Sequence, residues 1–244
     1  MTKFDELNQL KRFFSTMEIS ESEKKKRADF AYLLYDAIYY VLLSIKLEIK
    51  VKEKQGKIPT QSQNKTVSER QGKSDKVDSQ KSVNEQNTDK NNQDSIRQTE
   101  IQKIVDSYRQ TLNNRLIDVF GDKPYEPEYV SRLSDEIIDT TTRHPDDDYY
   151  LSKERALLIG QNESNTTFNH IDYTEAKESG KRYKVWITEA DERVRLEHAE
   201  VDMMRIPIDE MFDVGGEQLR YPHDYLNGSA KNLVNCRCTC RYEW

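Results

Sequence analysis

The reactive side chains of this chain gather near its C-terminal end. All three cysteines, Cys236, Cys238 and Cys240, alternate there with Arg237, Thr239 and Arg241. Upstream stand His198 and His223, with Arg193 and Arg195. Three chemistries could draw on this set. Cys236, Cys238, His198 and His223 are zinc-ligating types. Yet the usual Cys-x₂-Cys knuckle is absent, and a straight strand, with i and i+2 Cα atoms ~6.6–7 Å apart, spreads its thiolates too far to share one ion easily. The expectation is therefore that they pack a buried strand face, as free cysteines commonly do, with no cofactor and zinc only as an alternative. The same spacing and the odd count weigh against a disulfide. A cysteine nucleophile would need an imidazole in reach of its thiolate, and no spacing puts His198 or His223 against Cys236. Finally, His198 with Arg193, Arg195 and Arg237 offers a proton-transfer group and cations for phosphodiester cleavage. The plain alternative is that these arginines pair with the neighbouring acids Asp191, Glu192, Glu197 and Asp202. No phosphate-cradling glycine loop, Gly-x-Ser-x-Gly elbow or His-Glu-x-x-His motif occurs.

The elements that must position these residues follow from periodicity. From Ala28 to Val51 there is neither Gly nor Pro, and Phe30, Leu33, Leu34, Ala37, Ile38, Val41, Leu42, Ile45 and Ile49 trace a helix face. Tyr32, Tyr35, Tyr39 and Tyr40 widen that face, so the helix needs partners on several sides, within this chain or on another subunit. Ser20 or Ser22 is its expected cap. Lys24 to Arg27 reads as a solvated basic run, with phosphate binding as the alternative. Residues 1–51 form one helical segment on this reading. Residues 52–95 are dominated by Gln, Asn, Ser and Lys and read as a disordered polar linker.

Residues 96–180 read as helical again. Ser95 and Gln98 have capping-box spacing. Ile101, Ile104, Val105, Tyr108, Leu112, Leu116 and Val119 share a face up to Gly121. Pro127 opens a helix carrying Val130, Leu133, Ile137 and Ile138. A long helix runs from about Ser152 to Ser179, with a polar middle, Gln161 to Asn165, that could kink or break it. Residues 181–244 form a small α+β domain. Strands are expected at Tyr183–Ile187, Arg205–Ile208 and the alternating terminus from Cys236, with turns at Gly215-Gly216 and Asn227-Gly228. The fold class is thus α+β: two helical thirds with a linker, then a module ending in a β-strand.

Composition limits the function classes. Of 244 residues, 34% are charged and 35% hydrophobic, which is too polar for one core spanning the whole length. A net charge of −6 argues against a nucleic-acid coat, though not against a local basic patch. The most apolar stretch, Phe30 to Ile49, is interrupted by Asp36, Lys46 and Glu48, so no membrane partner is expected. Met1 to Glu6 lacks a signal-peptide apolar region, so a cytoplasm is the expected place of synthesis.

Read in order, Trp186, Asp191-Glu192-Arg193-Val194-Arg195, His198, Tyr221-Pro222-His223-Asp224 and Asn235-Cys236-Arg237-Cys238 form one string. The string resembles the phage Mu protein F-like family of minor head and head-morphogenesis proteins, over roughly residues 150–244. Gln161-Asn162-Glu163 stands where that family often has Arg-Thr-Glu, and Asp202-Met203 where it often has Asp-Gly. The resemblance implies a protein of the phage head made in a bacterial host cytoplasm. It implies portal and capsid proteins as partners, phage DNA as a further candidate, and no catalytic residue. Some related modules are thought to share ancestry with toxin or nuclease folds, which keeps the enzyme alternative alive. It also implies structural roles: Trp186 in a core, Arg–Asp pairs as buried ties, and the Asn235 side chain capping a turn.

Overall fold

The computed structural model describes residues 3–60, 79–123, 128–144 and 146–244, with the side chains of 3, 4 and 79–90 left aside. Its architecture is α+β, helical first and β-containing at the C-terminal end. Helix α1 (Lys3–Ser15) buries Leu10 and Phe14 against helix α2 (Glu21–Lys54). Ser20 caps α2, its hydroxyl accepting the Glu23 N–H at 3.2 Å. Of the apolar face read from the sequence, Phe30, Leu34, Ala37, Ile38, Val41, Leu42, Ile45 and Ile49 are buried, whereas Leu33 lies on the outward side and is half exposed. Among the described residues, α2 is the one helix long and apolar enough to cross a membrane by length and composition. Its best 18-residue window has a mean hydropathy of 1.4, and half of that window is buried in the protein.

The basic run is not uniformly solvated. Arg27, its last member, is fully buried. The run meets the apolar face one turn before Phe30, so the position falls on the inward side.

The segment read as a linker is narrower than its composition suggests. Helix α2 continues to Lys54, Ile58 is buried, and helix α3 (Ser79–Ser107) begins well before Ser95; residues 61–78 lie outside the described part. Ser95 therefore stands inside a helix, and its carbonyl accepts the Thr99 hydroxyl at 2.9 Å. With no Gly or Pro from Ser79 to Ser107, Gln, Asn, Asp and Lys can extend the helix, and a capping-box pattern can sit in mid-helix. The chain breaks at Tyr108 and continues as helix α4 (Arg109–Phe120), which ends at Gly121 with φ +53°. Helix α5 (Tyr129–Arg143) buries Val130, Leu133, Ile137 and Ile138. Pro127, its expected opener, lies outside the described residues.

After a 3₁₀ turn (Asp148–Leu151), helix α6 (Lys153–Glu178) starts at the Ser152 cap, whose hydroxyl accepts the Arg155 N–H at 3.2 Å. The helix is continuous through its polar middle, where the sequence leaves room for a kink or break. Gln161, Ser164, Asn165, Thr166 and Asn169 are buried and hydrogen-bonded rather than solvated. Helix α6 is the main partner of α2, and Gly160 sets their separation. A Cβ at Gly160 would lie 2.6 Å from the Ala31 carbonyl oxygen and 3.0 Å from the Tyr35 nitrogen, both backbone atoms that cannot swing aside. Gly160→Ala is expected to cost about 1–3 kcal/mol by overpacking. An unchanged urea midpoint would show that the helices separate freely.

In the C-terminal module, strand β1 (Tyr183–Ile187) is central. It pairs antiparallel with β2 (Arg205–Pro207) on one side and with β5 (Thr239–Glu243) on the other, with Trp186 opposite Cys240. A hairpin of β3 (Phe212–Val214) and β4 (Glu217–Leu219) turns on Gly215 and Gly216, at φ +60° and +88°. Two one-turn helices, α7 (Leu196–Ala199) and α8 (Ala230–Leu233), flank the sheet. Trp186, Val201, Phe212, Val214, Leu219, Cys236 and Cys238 share one small core. Lys184 is buried as well. Its Nζ donates to the Arg220 carbonyl at 2.6 Å and lies 5.3 Å from the centres of the Tyr173 and Phe212 rings. Burial pushes this amine down to about 8.

Candidate functional site

Two polar constellations meet where α6 packs against the C-terminal module. The first is built on α6. The Arg27 guanidinium donates to Asn165 Oδ1 at 3.1 Å, Asn169 Oδ1 at 2.9 Å, Asp172 at 2.8 Å and Glu23 at 3.1 Å. The same two asparagines turn their amides the other way. Asn165 Nδ2 donates to the Cys236 carbonyl at 3.0 Å, and Asn169 Nδ2 donates to the carbonyls of Pro222 at 2.9 Å and Cys238 at 3.2 Å. His223 Nε2 donates to the Cys236 carbonyl at 2.7 Å, and its Nδ1 lies 3.4 Å from the Thr166 hydroxyl. Positions 165, 169 and 172 recur at helical spacing, so one face of α6 reads both α2 and the cysteine loop.

Burial pushes the Asp172 carboxyl up to about 6, against the pull of Arg27. The folded protein therefore holds this proton more tightly than the unfolded chain, whose value is ~3.9. Asp172's contribution to stability rises as pH falls from about 7 to about 4. Unfolding midpoints across that range should show a rise that Asp172→Asn flattens; an identical slope in the variant would refute the assignment.

The second constellation lies in the module. His198, Cys236 and Cys238 are all buried, at 2%, 2% and 4% exposure. His198 Nδ1 is 3.4 Å from Cys238 Sγ and 3.6 Å from Cys236 Sγ. The separation expected from a straight strand does not arise. Asn235 has φ +59°, β5 begins only at Thr239, and the bent backbone folds the Cys238 N–H back to 3.4 Å from Cys236 Sγ. His198 thus does reach Cys236, whereas His223 meets that residue's carbonyl. The neighbouring Cys238 thiol favours the Cys236 thiolate, against the cost of burial. That thiolate and burial together hold Cys238 in its protonated form. Cys240 stands apart, its thiol pushed up to about 12 by burial.

The arginines proposed for cleavage are engaged. Arg237 donates to both Asp191 oxygens, at 2.5 and 2.8 Å, and to Thr16 of the loop after α1. Arg193 also bonds Asp191, and Arg195 donates to the Val234 carbonyl at 2.5 Å. Arg237, followed by Arg193, holds the Asp191 carboxyl well below the usual carboxylate range. Both His198 and His223 are closed off from solvent, at 2% and 1% exposure, so neither of these two imidazoles is open to a polymer. Asp224, fully buried, receives both the N–H and the guanidinium of Arg220. The Asn235 side chain caps no turn: its Oδ1 accepts from Gln161 at 3.2 Å, and its N–H donates to Asn162 Oδ1 at 2.7 Å.

Several participants carry no sequence signal. Asn232 accepts from or donates to His198, the Val214 carbonyl and Glu217, yet it sits in an ordinary Ala-Lys-Asn-Leu run. Glu189 lies beside the cysteine loop, and burial pushes its carboxyl up to about 7. A separate cavity of about 460 Å³ between α5, α6 and the module is lined by Arg132, Glu136, Glu163 and His223. The Tyr129 hydroxyl donates to Glu163 at its wall.

The family match falls on this half of the chain. The family described as Phage Mu protein F like protein matches residues 127–241. An NAD(+)–arginine ADP-ribosyltransferase EFV of Enterococcus faecalis is 35% identical over 92 residues, covering 36% of this chain and 18% of that protein. The chain thus spans about a fifth of that relative's length. No solved structure matches. Helices α5 and α6, the module up to residue 241, and both constellations except Arg27 and its α2 neighbours fall inside the matched span, so it is the C-terminal portion of this chain that is similar to the phage Mu protein F-like family.

Proposed function

We propose that this protein is a head morphogenesis protein of a tailed phage or prophage. On this reading it is a minor component of the virion that works beside the portal and capsid proteins in head assembly and in DNA packaging or ejection. The observation that carries the reading is the family match over residues 127–241, the residues that build the buried constellations. The first of these constellations acts as a tie, joining α2, α6 and the cysteine loop through the hydrogen bonds of Arg27, Asn165 and Asn169. An assembly protein also needs a surface for its partners. On α2, Leu33, Tyr40, Leu47 and Val51 repeat at helical spacing and remain 51%, 52%, 54% and 51% exposed. Exposed apolar stripes of this kind suit a protein contact.

The test is quantitative mass spectrometry of purified particles, using peptides from 184–193 and 206–220 scaled to the major capsid protein. A small, constant number of copies per particle is expected. Abundant protein in the lysate with none in particles would overturn the virion assignment.

A further inference from the structure

We propose that His198, Cys236 and Cys238 form a zinc site, with His198 Nδ1 and the two sulfurs as its ligands. The distances are those such a site requires. Zn–S bonds of ~2.3 Å and a Zn–N bond of ~2.05 Å at tetrahedral angles place nitrogen and sulfur ~3.6 Å apart. The observed separations are 3.4 and 3.6 Å, and the three ligand atoms all lie within 4.8 Å of one another.

The surroundings prepare these atoms as ligands. Asn232 Nδ2 is committed to the Val214 carbonyl at 3.0 Å and to Glu217 at 2.8 Å. Glu217 is itself held by the Ser229 N–H and hydroxyl. Asn232 therefore turns its Oδ1 to His198 Nε2, 3.2 Å away, which places the imidazole proton on Nε2. The lone pair on Nδ1 then points at the two sulfurs. Metal-bound histidines are oriented by this kind of outer hydrogen bond. Donors also converge on sulfur. The Cys238 N–H lies 3.4 Å from Cys236 Sγ, and the fully buried Trp186 indole N–H has no full hydrogen-bond partner and lies beside Cys238. Such donors suit thiolates better than thiols. A void of about 10 Å³ is lined by His198, Cys236 and Cys238 together with Glu189, Asn235 and Arg195, and leaves room for a fourth ligand. That volume is about one water molecule. His223 is no ligand, because its Nε2 is spent on the Cys236 carbonyl. Binding zinc displaces the thiol protons into solvent and ties α7 to the loop that leads into β5.

The experiment uses the full chain. Purified protein is analysed for metal, stripped with a chelator, then titrated with Co²⁺ and with Zn²⁺. One equivalent of zinc is expected, as are a Co²⁺ spectrum with sulfur-to-metal charge transfer and tetrahedral bands, and displacement of Co²⁺ by Zn²⁺. Cys236→Ser and Cys238→Ser should each lose the charge-transfer band, while His223→Gln should keep it. Should the serine variants fail to fold, thiol counting on the native chain decides: zinc should shield Cys236 and Cys238 from alkylation, and chelator should release both. A chain that takes up neither metal, a full equivalent retained in the double serine variant, or a Cys236–Cys238 disulfide in freshly purified protein would overturn the proposal.

Discussion

Arg27→Met is expected to lower stability by about 3–5 kcal/mol, because the two buried acceptors Asn165 and Asn169 are left without a donor at ~1–3 kcal/mol each and two carboxylates lose their cation. Arg27 is fully buried and gives four hydrogen bonds, to Glu23, Asn165, Asn169 and Asp172. The methionine keeps most of the packing volume, so the loss reports the polar network. The Oδ1 atoms of Asn165 and Asn169 lose their donor, and each asparagine is already committed through its amide to the cysteine loop. Neither can turn without breaking a second bond. At 2–4 °C per kcal/mol for a chain of this size, the thermal midpoint should fall by about 6–20 °C. Arg27→Lys should recover only part of this, since one ammonium cannot replace a planar fork. A loss under 1 kcal/mol would show that the network is incidental to the fold.

Trp186→Ala is expected to cost about 3–5 kcal/mol, the usual range for emptying a large aromatic site. Trp186 is fully buried on the central strand, edge-on to Phe212 at 5.2 Å and to His198 at 5.7 Å. The module core is small, with Val201, Val214 and Leu219 as its main aliphatic members. Few neighbours can collapse into the cavity. The loss should therefore concentrate in the module, and hydrogen exchange should accelerate in β1, β3 and β5 before it does in α2. Uniform acceleration across the chain would mean that the two cores unfold as one.

The elements were readable wherever a local rule governs them. The Ser20 cap, most of the inward faces of α2 and α5, the Gly215-Gly216 turn and the Tyr183–Ile187 strand all follow from spacing and turn chemistry. What was hidden depends on partners far away in sequence. The polar middle of α6 reads as a break because Asn165 and Asn169 look unpaid in isolation; their acceptors and donors are Arg27, Pro222, Cys236 and Cys238. Alternation over residues 236–244 suggests one straight strand, but period-two spacing cannot reveal the left-handed residue at Asn235 that bends its start. The candidate ligands were therefore visible by type, while their convergence was not. Composition likewise marks 79–95 as weakly apolar without saying that it is non-helical.

The close crossing of α2 and α6 at Gly160 also has a meaning in time. The end of α6 follows the end of α2 by 124 residues. At ~5–20 residues per second of synthesis, α2 leaves the ribosome ~6–25 s before its main partner is complete. Throughout that interval its most apolar window, of mean hydropathy 1.4, has no α6 to cover it. The nascent chain thus passes through a stage in which a future core helix offers itself to chaperones, to other copies and to the membrane-targeting machinery, and the arrival of Gly160 ends that competition.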